Sequence, residues 1–167
     1  MKYLIYSNSI LQFLMMVFVP YQILVIQKNT ANLPLVLGIG MVAGGLTSIS
    51  IGKLSDKNRK QTFLAGMLLL VLVVWGYAFA NSLSEIIFLQ IFYGIAFAVY
   101  NISEKALIAD LAIERGKEIG KYATALYVAS GAALVISSLF VIPTRWLFPA
   151  IALGLLIPNI IIFKYFK

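Results

Sequence analysis

The sequence predicts an all-α membrane protein of six transmembrane helices, arranged as two three-helix units in a 3+3 pseudo-repeat. Three observations predict this. First, 62% of the 167 residues are hydrophobic and 11% are charged, against about 45–50% and about 25% in soluble domains, and the mean hydropathy is +0.97. The 13 Lys+Arg and 6 Asp+Glu cannot cover the surface of a globular domain of this size, so the remaining surface faces lipid. Second, the charges leave six charge-free stretches, at 3–27, 29–52, 61–84, 86–103, 122–144 and 146–163. Each reaches the roughly 18–20 apolar residues needed to cross a hydrocarbon core about 30 Å thick. Third, polar side chains gather on the first and fourth stretches and are nearly missing from the third and sixth, a period of three helices.

The first span, about 3–27, is interrupted by Ser7, Asn8, Ser9 and Gln12. It lacks the compact apolar region and small-residue end of a signal peptide, so it reads as a retained helix. At 100° per residue, Asn8, Gln12 and Gln22 lie within about 40° of one line, with Met15 and Val19 between them. The second span, about 33–52, carries Gly40, Gly44, Ser48 and Gly52 at every fourth position, a row that lets helix backbones approach closely. The third, about 61–81, contains the unbroken run Met67 to Val74, which excludes the alternation of a barrel strand.

The fourth span, about 85–110, holds Gln90, Tyr93, Phe97, Asn101 and Glu104 within about 80° of each other. The fifth, about 121–141, repeats small residues at Ala125, Ala129 and Ala133. The sixth, about 146–164, has Asn159 as its one strongly polar side chain. Polar groups in hydrocarbon need partners or a wet cavity. The stripes on spans 1 and 4 therefore have two readings: hydrogen bonds that hold the bundle together, or the wall of a substrate cavity formed by Asn8, Gln12, Gln22, Gln90, Tyr93 and Asn101. The repeat favours the cavity, with spans 3 and 6 facing lipid.

Orientation is set by the basic residues. With both termini inside, eleven Lys and Arg fall on the cytoplasmic side and two, Lys28 and Arg145, on the outside. The net charge of +7 therefore marks topology, and no nucleic-acid-binding stripe is expected. With no Cys and no His, thiolate nucleophiles, histidine-bound metals and Ser–His or Cys–His dyads are excluded. No metal site, cofactor or enzymatic activity is expected.

The connection after span 2 reads Gly52-Lys53-Leu54-Ser55-Asp56-Lys57-Asn58-Arg59-Lys60: a small residue where helices close on each other, a tight turn, an acid, then a basic cluster. A positive-inside loop explains the Lys and Arg, but not Gly52 and Asp56 at fixed distances before Arg59-Lys60. Here the chain resembles the major facilitator superfamily at Gly52, Leu54, Ser55, Asp56, Lys57, Arg59 and Lys60. It departs at Asn58, where the family usually has Gly and where Asn is the next-best residue for a left-handed turn.

A second similarity runs through Tyr93-Gly94, Glu104 to Leu111, Arg115-Gly116 and Gly120, and looks like the family's fourth or tenth helix with the loop and helix after it. Gln90 stands where N-terminal halves often carry Arg, and the Glu104–Leu111 stretch looks more like C-terminal halves. The resemblance implies a half-bundle of a twelve-helix family. It also implies a conformational latch at Gly52, Leu54, Asp56, Arg59 and Lys60, and a cytoplasmic charge network of Glu104, Asp110 and Arg115.

The expected function is one half of a secondary transporter, moving a small solute by alternating access with a second six-helix half, either another copy or a separate chain. The alternative is a non-transporting membrane subunit or a truncated or degenerate transporter fragment. The expected location is a prokaryotic cell (plasma or inner) membrane, with the bilayer as the first partner. An absence of mid-membrane charge on the cavity face favours a neutral or amphipathic solute.

Overall fold

The computed structural model describes residues 2–111, 115–139 and 143–165. Among these, helices alternate with short turns and there is no strand. The helices are α1 (Lys2–Asn29), α2 (Leu33–Lys57), α3 (Arg59–Tyr77), α4 (Leu83–Leu111), α5 (Arg115–Leu139), α6 (Thr144–Gly154) and α7 (Leu156–Tyr165). Six segments are long and apolar enough to span a membrane, α6 and α7 together making the sixth. The chain is an integral membrane protein. The break at Leu155 has a local cause: Pro158 lacks an N–H and falls in the first turn of α7, where no intrahelical donor is needed.

The 3+3 repeat is visible in the packing. Helix α4 lies against α2 and α3, while α1 lies against α5 and against the α6–α7 span. Advancing every helix by three turns one set of contacts into the other, and the contact of α3 with α6 completes the set. Each unit thus inserts its first helix beside the second helix of the other. Three is odd, so the two units enter the bilayer from opposite sides.

Glycine sets the α2–α4 approach. A Cβ on Gly94 would stand 1.8 Å from the Gly40 carbonyl oxygen, and one on Gly44 2.7 Å from the Gly94 carbonyl oxygen. Of the four-residue row in span 2, Gly40 and Gly44 make this contact. Gly52, expected where two helices close, has open space around its Cβ position. On the other side of α4, a Cβ on Gly66 would meet the Tyr100 backbone nitrogen at 2.5 Å. An aromatic hub ties the two units together: the Phe18 ring packs on Tyr77, Tyr93 and Phe148 at centroid distances of 5.5, 6.1 and 5.2 Å.

Burial is uneven. Half (50%) of the apolar stretch of α3 is buried, against 22% for α2 and 11% for α5. Spans 3 and 6, expected against lipid, each carry a packed face as well. Phe63, Met67 and Leu70 of α3 and Phe148 and Ile151 of α6 are core residues, and the exposed faces hold apolar side chains such as Leu72, Phe79, Trp146 and Phe163. The least covered helices are α2, with Met41, Val42, Leu46 and Ile49 exposed, and α5, with Tyr127, Val128 and Val135 exposed.

Candidate functional site: the polar face of α4

Helices α1 and α4 run antiparallel with their backbones held apart, and two buried polar clusters bridge them. At one end, Asn8 Nδ2 donates to Glu104 Oε1 at 2.7 Å and to Tyr122 Oη at 2.7 Å. The hydroxyls of Tyr100 and Tyr122 also donate to Glu104 Oε1. At the other end, Gln22 Nε2 donates to Gln90 Oε1 at 3.0 Å and to Tyr77 Oη at 3.2 Å, and Tyr77 Oη donates to Gln90 Oε1 at 2.6 Å. Asn8 to Gln22 and Gln90 to Glu104 are equal sequence intervals, so both clusters obey one antiparallel register. They stand about 21 Å apart along the helices at 1.5 Å per residue.

Grooves flank α4 between these clusters. One, about 460 Å³, lies against α2 and is lined by Gly40, Gly44, Ser48, Gln90, Tyr93 and Asn101. The other, about 500 Å³, lies towards α1 and α5 and is lined by Gln12, Tyr100, Asn101, Glu104 and Tyr122. Phe97 and Asn101 line both, so the two are halves of one concave face centred on α4. Gln12 reaches across to Ser130 of α5 at 3.2 Å. Tyr93 and Phe97 stack at 6.1 Å, giving the face an aromatic floor with amide groups around it. Such a mixture suits a solute with apolar area and a few hydrogen-bonding groups.

Of the residues expected to form a cavity, Gln12, Gln90, Tyr93 and Asn101 line these grooves. Asn8 and Gln22 do not: they are 0% and 2% exposed and are consumed in the interhelical clusters. The polar stripe does run as a line along α1, but its two ends meet partner side chains and only Gln12 faces open space. Three participants carry no signal of their own in the sequence: Tyr77, Tyr100 and Tyr122. A tyrosine in an apolar run reads as a core or interfacial ring, and only the facing Gln90 and Glu104 reveal that its hydroxyl is in use.

The turn after span 2 also departs from expectation. Helix α2 continues through Gly52 to Lys57, and Asn58 alone separates it from α3. Asn58 has φ −146° and ψ 65°, so no left-handed residue is used. Its N–H bonds back to Leu54 and its carbonyl accepts from Thr62, which satisfies both helix ends through one residue. Arg59 pairs with Asp110 at the end of α4 and stands 3.8 Å from Asp56. Asp110 therefore joins the turn, not Glu104. The two acids are six residues apart, about 120° around α4: Asp110 faces α3, and Glu104 faces α1 and α5. The Arg115 side chain lies outside the described residues. Leu54, Asp56 and Lys57 are exposed and Lys60 lies over the Phe163 ring at 5.9 Å, which fastens the start of α3 to α7.

The sequence pattern of the Major Facilitator Superfamily matches residues 4–167, a stretch that takes in all six spans. The chain belongs to the major facilitator superfamily. Within it, an uncharacterized MFS-type transporter of Methanocaldococcus jannaschii is 34% identical over 93 residues, covering 54% of this chain and 23% of the relative. The chain thus matches about a quarter of that relative's length. No solved structure matches. Membership and this relative support a transporter-type function for the six-helix bundle.

Proposed function

We propose that this chain is one half of a secondary transporter of the superfamily, and that the concave face of α4 is its wall of the solute pathway. The observation that carries the reading is where that face opens. It lies between α2 and α5, the least buried of the six described spans, and their outward sides are apolar. A second six-helix body seated on α2 and α5 covers those sides and roofs the α4 face, turning a lipid-exposed polar groove into an enclosed one. Even helix number gives both bodies the same orientation, so the partner is a second copy related by an axis along the membrane normal, or a separate six-helix chain. Both termini lie in the cytoplasm of a prokaryotic cell, placing the Asp56 turn and the Glu104 cluster at the inner end.

Alternating access then uses the two clusters as separable clasps. Opening one frees the α1–α4 gap at that end while the other stays closed. The Arg59–Asp110 pair with Asp56 at its edge acts as the latch of the inner end. Gly52 and Leu54, at the exposed end of α2, offer a smooth surface to the other half.

Water access tests the reading. Single cysteines at Tyr93, Phe97 and Asn101 in native membranes should react with a water-soluble thiol reagent. Cysteines at Phe88 and Phe92, which are exposed on the opposite side of α4, should not. Equal protection at all five positions would make the face a lipid-covered or packed surface and end the transport reading.

A further inference from the structure

A second cavity stands apart from the α4 face, at the end of the bundle opposite the Asp56 turn. About 430 Å³ in volume, it lies among the ends of α1 and α3 and the start of α6, and is lined by Lys28, Asn29, Tyr77, Asn81, Thr144 and Arg145. Lys28 and Arg145 are the two basic residues that the charge pattern places on that side, and the fold brings both to one cavity.

Among the described residues no acidic side chain lines it. The acid on that side, Glu85, is spent elsewhere: its Oε2 accepts the N–H groups of Asn81 at 2.7 Å and Ser82 at 3.2 Å. Neither Lys28 nor Arg145 forms an ion pair among the described residues. Arg145 also sits in the first turn of α6, which carries no acid, and a cation is disfavoured there by the helix dipole. Two like charges at one cavity, one of them at the wrong end of a helix, are an arrangement that an anion stabilises.

We infer that this cavity is a binding site for a phosphate-type oxyanion. The Arg145 guanidinium offers a planar fork for two oxygens and the Lys28 ammonium a point charge for a third. The cavity volume admits an inorganic or organic phosphate, and its position at the helix ends is that of a lipid headgroup phosphate. The chemistry is shared by both sources.

Trp146, next to Arg145 and 72% exposed, serves as reporter once Trp75, the other tryptophan, is replaced by Phe. Inorganic phosphate is titrated into the detergent-purified chain at constant ionic strength while Trp146 emission is followed. In parallel, delipidated protein is mixed with phosphatidylglycerol and its retained lipid is measured by native mass spectrometry. Saturable binding in either arm is expected, weakened about tenfold by Lys28→Gln or Arg145→Gln, the effect of one lost charge-assisted hydrogen bond, and largely kept by Lys28→Arg. Binding in the phosphate arm assigns a free anion, and binding in the lipid arm alone assigns a headgroup. Absence of saturable binding in both arms, or binding that the two Gln variants leave unchanged, overturns the site.

Discussion

Replacing Gly94 by Ala should separate α2 from α4. The new methyl would lie 1.8 Å from the Gly40 carbonyl oxygen and 2.6 Å from its carbon, where an ordinary C···O contact is about 3.3 Å. Both obstructing atoms are backbone, so no rotamer change relieves the clash and the helices must part by roughly 1.5 Å at their crossing. Overpacking of this kind costs about 1–3 kcal/mol, set against the helix-propensity gain of up to about 1 kcal/mol for any Gly→Ala change. Gly38 supplies the control, because a Cβ there meets nothing within 4 Å, and Gly38→Ala keeps only the gain. The gain is common to both variants, so they should differ by about 1–3 kcal/mol in stability. At roughly 2–4 °C per kcal/mol, Gly94→Ala should melt about 2–12 °C below Gly38→Ala when unfolding in detergent is followed by tryptophan fluorescence. Melting of Gly94→Ala at or above the temperature of Gly38→Ala would refute the claim that this crossing is set by backbone contact.

Four further outcomes are expected. Glu104→Ala strips the shared acceptor from Asn8, Tyr100 and Tyr122 and should lower stability by on the order of 1–3 kcal/mol in the same melt, whereas Tyr122→Phe, which leaves the carboxylate two other donors, should cost less. Arg59 and Asp110 are 34% and 51% exposed, so a double-mutant cycle on the pair should give a coupling below about 1 kcal/mol. Asp56→Asn should slow transport while leaving solute affinity nearly intact, and a large loss of affinity at normal turnover would contradict a latch role. For topology, cysteines at Asn29 and Ser82 should label from outside intact cells and those at Asn58 and Gly116 should not.

The legible part of the sequence is the part that the physics of the bilayer dictates. Charge-free runs long enough to cross it are visible residue by residue, because a charge in hydrocarbon is costly wherever the helix packs. The three-helix period is equally readable, since polar stripes on spans 1 and 4 survive any arrangement of neighbours. The identity of each stripe's neighbour is not. Asn8 and Gln12 share a face of α1, yet one is buried against Glu104 and the other reaches Ser130 beside an open groove. That difference is decided by Tyr122 and Ser130 on α5, more than a hundred residues along the chain. Position along α4 groups Asp110 with Glu104, but the 120° between them hands Asp110 to Arg59. Glycine rows show where backbones can approach, but only the crossing of α2 and α4 selects Gly40, Gly44 and Gly94 and leaves Gly52 open.

The half-transporter account stands most directly on the pairing of α2 and α5 with a second body. Leu46 and Tyr127 lie near the middle of those spans and are 80% and 78% exposed, while Leu153, 59% exposed, lies on the sixth span away from them. A photo-crosslinking residue placed at Leu46 or Tyr127 should capture a second six-helix body in native membranes, another copy or a separate chain, seen as a band of two six-helix masses, and one at Leu153 should not. A chain that captures no second body from Leu46 or Tyr127, or that captures one equally well from Leu153, would contradict the account.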